Sequence, residues 1–437
     1  MKENDFKIFF PGAHLYLLDG GMGSLLQNKG LLPGKPPETM TLESPLIVEE
    51  IHCKYIEAGA DIIETNTFGG NRAALARYGL EDQIENINSI GTELALKAAA
   101  SHVKVAGSLG PTGHLLAPLG DLDQDQAEEI FFEQCQIMKN AGLELVNIET
   151  MNDLRELKAA VLAAKSCNLQ VMAEATTMEN GYTLSGASPE VIIATLEGLG
   201  VLAGGLNCGF GPSELKPLLT RMSKVTSLPL VIQPNAGLPQ VVGEDTVYSL
   251  SEQNFAEQMR EIIQDAHPSI VGGCCGTNPE YTKALRKIID SIPNLPFPQT
   301  GGVKTLIAGR GREVRWTGNW DEHLFLNVKA FNGKTMCLNE TTIDLFSLTE
   351  LVKKEKVEII RLDFDAWEDR SSEVKEFIQE LQLYFTGPLS VKGKNPEVLS
   401  GFFRYYLGKP LYEKTDAQIP VEIQKCIDKY LPGTVIC

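Results

Sequence analysis

The chain has 437 residues, 43% hydrophobic and 22% charged, a globular composition long enough for more than one domain and for a core without disulfide staples. A formal net charge of −18 argues against partners met through a basic surface, so neither nucleic acid nor an anionic membrane is expected. No uncharged apolar run reaches 18 residues, the opening MKENDFKIFF has no basic-then-apolar leader pattern, and nine cysteines without a Cys-x-x-Cys pair read as reduced thiols; a cytoplasmic location is expected.

In chain order, residues 1–300 alternate between apolar runs and amphipathic stretches of helical length. The strand candidates are Leu15–Gly20, Ala60–Phe68, Val103–Gly110, Leu143–Thr150, Leu169–Thr176, Val201–Cys208, Leu228–Gly237 and Ser269–Gly276. Helices are expected over 45–58, 82–101, 124–142, 152–166, 188–199, 212–224, 253–266 and 278–291. Asn152-Asp153, Ser188-Pro189, Pro212-Ser213 and Asn278-Pro279 supply start signals. Continuous apolar strands alternating with helices imply a parallel sheet with helices outside it. Eight such units predict an α/β fold of the (β/α)8 TIM-barrel type. The competing doubly wound sheet wants a G-x-G-x-x-G turn after its first strand, and Leu18-Asp-Gly-Gly-Met-Gly23 does not have that spacing.

Pro293-Asn-Leu-Pro-Phe-Pro298 reads as a linker. Residues 1–300 carry 37 acidic and 20 basic side chains, whereas 301–437 carry 20 and 19 and all three tryptophans. A second, small α/β domain is therefore expected over 301–437. Its candidate strands are Val357–Phe364 and Pro388–Val391, and its candidate helices Glu373–Tyr384 and Glu397–Tyr406.

A barrel gathers its chemistry where strands exit at their carboxyl ends. Those exits carry Asp19, Glu64-Thr65-Asn66-Thr67, Ser108, Glu149, Glu174, Cys208, Asn235 and Cys274-Cys275. Strands six and eight are near neighbours in a barrel, so three thiols 66 residues apart in sequence can meet, with Gly272-Gly273 and Gly276 freeing the backbone around the vicinal pair. Three thiolate ligands leave one tetrahedral position open, as at a catalytic rather than a structural zinc. A substrate thiol entering that position loses its proton and stays nucleophilic, which suits alkyl transfer to sulfur. The competing reading is plain packing, because cysteine is commonly buried as a small hydrophobe. Asp19 could equally cap its turn, Glu149 could cap the helix that follows, and Asn235 could bond only its own loop. No strand exit offers a Schiff-base lysine, which disfavours an aldolase-type lyase.

Five segments in order, Asp19-Gly-Gly-Met-Gly-Ser24, Glu64-Thr-Asn-Thr-Phe-Gly-Gly-Asn71, Gly205-Leu-Asn-Cys-Gly209, Pro234-Asn-Ala-Gly-Leu-Pro239 and Gly272-Gly-Cys-Cys-Gly-Thr277, resemble the homocysteine S-methyltransferase family. The resemblance spans about residues 10–295 and is nearest to the homocysteine-binding zinc barrel of cobalamin-dependent methionine synthases. It implies Cys208, Cys274 and Cys275 as zinc ligands and as the catalytic set. It implies that Asp19 and Glu149 hold the amino-acid end of homocysteine with help from Thr65, and that Asn235 stands at the open metal position.

In that enzyme class a pterin barrel and cobalamin modules follow the zinc barrel. Here about 137 residues follow position 300, half of what a barrel needs, and no Asp-x-His-x-x-Gly cobalamin-attachment pattern occurs. The expected donor is therefore a methylated corrinoid (cobalamin) protein acting in trans, with S-methylmethionine or betaine as alternatives. A non-catalytic scaffold that binds zinc and homocysteine is the reading of another class. Residues 301–437 are expected to support the barrel or dock a partner, and Leu389-Ser-Val-Lys-Gly-Lys-Asn-Pro396 faintly resembles a step of a shortened pterin-type barrel.

Overall fold

The computed structural model describes residues 4–11, 15–100, 102–242, 245–292, 306–328, 330–332, 335–338, 341–365, 367, 371–414 and 418–437. The expected linker at 293–298 lies outside them. Eight strands, β1 (Tyr16–Leu17), β2 (Ile62–Glu64), β3 (Lys104–Leu109), β4 (Leu145–Met151), β5 (Gln170–Ala175), β6 (Ala203–Asn207), β7 (Leu230–Gln233) and β8 (Ile270–Val271), form one parallel sheet. β8 returns to pair with β1, and a parallel bridge between Leu18 and Ile62 closes the barrel. The ladders are shorter than the apolar runs because each run leaves the sheet at its carboxyl end, where the polar residues begin.

The outer helices lie where the periodicity put them. They are α1 (Pro45–Glu57), α2 (Ile84–Ala99), α3 (Gln124–Asn140), α4 (Leu154–Ser166), α5 (Pro189–Leu199), α6 (Pro212–Ser223), α7 (Glu252–Ala266) and α8 (Pro279–Ser291). Asp123, Asp153, Ser188, Ser251 and Asn278 accept hydrogen bonds from the first-turn amides of their helices, satisfying donors that otherwise face water.

Inside the barrel, Leu18, Ile62, Ala106, Leu145, Met172, Ala203, Val231 and Ile270 form an apolar floor, closed from below by Phe6 and Phe10. Gly205 is required in β6: a Cβ there would lie 1.7 Å from the Val231 carbonyl oxygen. Above this floor the lumen turns polar, and the site begins.

Beyond residue 305, five parallel strands lie side by side in chain order, β9 (Phe325–Val328), β10 (Ile359–Asp363), β11 (Leu389–Lys392), β12 (Leu411–Tyr412) and β13 (Val435–Ile436). Helices α9 (Leu345–Lys354), α10 (Val374–Tyr384), α11 (Pro396–Tyr405) and α12 (Val421–Tyr430) connect them. Consecutive parallel neighbours wound in one sense are what half of a (β/α) barrel looks like. The two anticipated strands and two anticipated helices are present. A short hairpin (Leu306–Ala308 with Glu313–Arg315) and a three-stranded antiparallel sheet within 330–344 were not anticipated.

This second unit packs on α3, α4 and α5 of the barrel. Lys158 of α4, fully buried, donates from Nζ to the carbonyls of Phe403 (2.8 Å) and Tyr406 (2.6 Å), and Gln124 Nε2 donates to Arg404 O at 3.1 Å. These carbonyls end α11, so a cation there meets the negative end of the helix. Around them Arg404 pairs with Asp125 and Glu128, and Lys409 with Glu197.

Candidate metal and substrate site

The thiols converge. Cys208 Sγ lies 3.8 Å from Cys275 Sγ, Cys274 Sγ lies 4.0 Å from Cys275 Sγ, and all three fall within 4.8 Å of one another. Backbone hydrogen bonds from the β7 exit hold them there. Cys208 N donates to Gln233 O (3.0 Å), Cys274 N to Pro234 O (2.8 Å), and Ala236 N to Cys275 O (2.9 Å). Strand seven thus stitches its two neighbours together, which is why ligands from six and eight meet. Glycines let the remaining wall approach: a Cβ on Gly21 would sit 2.9 Å from Cys274 O, and Gly21 N donates to Thr277 Oγ1, which donates onward to Cys274 O.

The set fits zinc. A tetrahedral metal with Zn–S bonds of about 2.3 Å separates its sulfurs by about 3.8 Å, so the thiols stand close to bonding positions already. Without a cation they can carry little charge. Hydrogen bonds from Cys208 and then Cys274 hold the Cys275 thiol down at about 3. Donation to Cys208, then to Cys275, pushes Cys274 well up. Cys208 is drawn down by its contact with Cys274, yet its contact with Cys275 and burial carry it to about 12. One thiolate is what the protein alone stabilises; three require a metal's charge. Tyr248 also reaches Cys275, and burial followed by that thiolate's charge raises its phenol. Sequence reasoning missed Tyr248, which ends the second strand of an unforeseen hairpin (Pro239–Val242 with Asp245–Tyr248).

Opposite the thiols stand the acids. Asp19 is buried, its Oδ2 accepts Glu64 N at 2.9 Å, and its Oδ1 has no partner among the described residues. Glu149 accepts from Ser108 Oγ (2.6 Å) and Asn207 Nδ2 (3.1 Å). Neither carboxyl caps a helix; α4 is capped by Asp153. Burial, and after it the Glu64 carboxyl, holds both Asp19 and Glu149 well above the usual carboxylate range. Such acids gain most from a cationic partner.

Thr65 sits at the β2 exit, where its hydroxyl contacts Thr67 Oγ1 at 2.5 Å and accepts Ser108 N at 3.1 Å, fastening β2 to β3. Asn235 N donates to Phe210 O, and its buried side-chain Oδ1 has no partner among the described residues. It sits between Pro234 and Ala236, the residues that bond the vicinal cysteines. Ser108, one of the polar strand exits, holds Glu149.

Three clustered thiols and a set of buried acids gather at the carboxyl end of one closed (β/α)8 barrel, where barrels of this fold carry their sites. The family model for homocysteine S-methyltransferase matches residues 16–289, and the chain belongs to that family. It is 36% identical over 286 residues to a methionine synthase of Mycobacterium leprae (strain TN), covering 61% of this chain and 24% of that protein. It is 33% identical over 300 residues to a methionine synthase of Mycobacterium tuberculosis (strain ATCC 25618 / H37Rv), covering 64% and 25%. The match thus spans about a quarter of those relatives' length. The barrel is similar to the solved metallated form of the homocysteine methyltransferase MmuM from Escherichia coli, with a TM-score of 0.55, 24% identity, and coverage of 64% of this chain and 99% of that one. At that identity the likeness is one of fold. No helix among the described residues is long and apolar enough to cross a membrane.

Proposed function

We propose that this chain methylates the thiol of homocysteine, giving methionine, with zinc held by Cys208, Cys274 and Cys275 and with methyl supplied by a methylated corrinoid protein in trans. The observation that carries the reading is the convergence of three thiols within 4.8 Å, at the same barrel end as the buried acids Asp19 and Glu149. Bound zinc would lower the pKa of a substrate thiol and hold it as a nucleophilic thiolate. The chain's own residues do the rest. Asp19 Oδ1, buried and unpartnered, and Glu149 take the ammonium end of the substrate, which aims its thiol toward the cysteines. The Asn235 side chain, beside the vicinal pair, stands at the open ligand position. Thr65 assists in holding the amino-acid end, from the strand exit that its hydroxyl ties to β3.

The donor assignment rests on the methionine synthase relatives and on Thr65-Asn-Thr-Phe-Gly-Gly-Asn71. Residues 301–437 act in this reading as an accessory domain, a shortened pterin-type remnant that supports the barrel. The test is methionine formation from homocysteine by the zinc-loaded chain with methylcobalamin, methyltetrahydrofolate, S-methylmethionine or betaine. Turnover with methylcobalamin alone is expected. Turnover with S-methylmethionine or betaine instead replaces the donor, and methylation by protein proven free of metal refutes the zinc assignment.

A further inference from the structure

Beneath the two acids lies a layer of side chains with no task in the reading above. Asn147 Nδ2 stands 2.7 Å from Glu64 Oε1, 2.9 Å from Glu174 Oε1 and 3.1 Å from Gln233 Oε1, while Gln233 Nε2 donates to Glu64 Oε2 at 3.2 Å. One amide nitrogen has two protons, so three acceptors cannot all be served at once. Glu174 is fully buried, and its Oε2 has no partner among the described residues. Two carboxylates sharing one donor in a space with little water cannot both stay ionised. Glu64 has two amide donors and Glu174 one, so Glu64 keeps the charge and Glu174 the proton.

The layer touches both ends of the site. Glu64 N donates to Asp19 Oδ2, and Gln233 O accepts the amide of the ligand candidate Cys208. We propose that Glu64 and Glu174, both bonded by Asn147, hold one proton between them, resting on Glu174, and that Glu64 is a positioning residue setting the charge of the Asp19–Glu149 pair and its distance from the thiols. Among the described residues the titratable groups coupled to this pair are Asp19 and Glu149, and no cation is among them. Burial lifts Glu174 well above the usual range, in keeping with an acid that stays protonated near neutrality. The effect on substrate rests on the proposed function; the shared proton does not. In the proposed pose the substrate's ammonium lies nearest this layer, so loss of the shared proton, which adds negative charge beneath it, should tighten its binding.

The first test is infrared difference spectroscopy of the full-length zinc-loaded chain. Wild type minus E174Q is expected to show one carboxylic-acid C=O band that shifts in D2O. Titrating wild type alone upward from neutrality should bleach the same band, so the answer does not depend on the variant folding. The second test is the KM for homocysteine, expected to fall roughly tenfold over that titration in wild type and to lose the fall in E174Q. Absence of the band overturns the shared proton. A band with a pH-flat KM overturns the positioning role of Glu64. A chain that shows the band but never methylates homocysteine refutes the proposed function and leaves the proton standing.

Discussion

Replacing Cys208 by serine removes one of three sulfurs that already stand 3.8 to 4.0 Å apart in sequence of contact, so almost no rearrangement is available to make up for the loss. A four-ligand zinc–protein site is worth about 10–16 kcal/mol, or roughly 2.5–4 kcal/mol per ligand. Losing one sulfur should therefore weaken zinc about 100- to 1000-fold, since each 1.4 kcal/mol is about a factor of ten. The serine oxygen returns little of this, being a harder donor without a thiolate's charge. The assay is competition for zinc against a chromophoric chelator, with metal content of the recovered protein measured in parallel. Cys135→Ser serves as the control, because Cys135 is buried in the core away from the mouth. Homocysteine binding should fall with the metal. Zinc affinity in C208S within threefold of wild type would refute the thiolate site.

Asp19→Asn and Glu149→Gln should leave zinc stoichiometry intact and raise the KM for homocysteine at least about 30-fold, the cost of roughly 2 kcal/mol for removing one partner of a buried charge pair; loss of zinc in parallel would mean they act on the fold instead. Lys158 has its amine held down at about 7 by burial, below the value of about 10.4 in an unfolded chain. The unfolded state thus holds more protons between those values, so this residue's cost is full below pH 7 and fades as pH rises. Stability in urea should climb with pH across that window, and Lys158→Met should flatten the slope by up to about 1.4 kcal/mol per pH unit; an unchanged slope would count against the buried lysine. Gly205→Ala drives a methyl to 1.7 Å from a backbone oxygen, and should lower the thermal midpoint by several degrees or prevent folding.

Much of the barrel was legible because a parallel strand covered on both sides must be apolar throughout, and the polar residue that ends each run marks where it surfaces. The thiols were legible for a related reason: strand number alone brings six and eight together. Asn147 and Gln233 escaped notice as isolated polar letters inside apolar runs, and only the closed lumen shows them facing one another. Tyr248 escaped because it reaches Cys275 from a hairpin whose strands are too short to stand out. The packing of the second unit escaped as well, although α4 held the clue. Ala159-Ala-Val-Leu-Ala-Ala164 is apolar around its whole circumference, which a helix with one face in water would not be.

That circumference has a practical corollary. A chain severed near residue 300 would expose the outer side of α4 to solvent, leaving a greasy alanine-rich stripe and an amine stripped of the two carbonyls it serves. The eight-stranded half, though it contains every thiol and acid discussed, should then be sticky and poorly soluble when made alone.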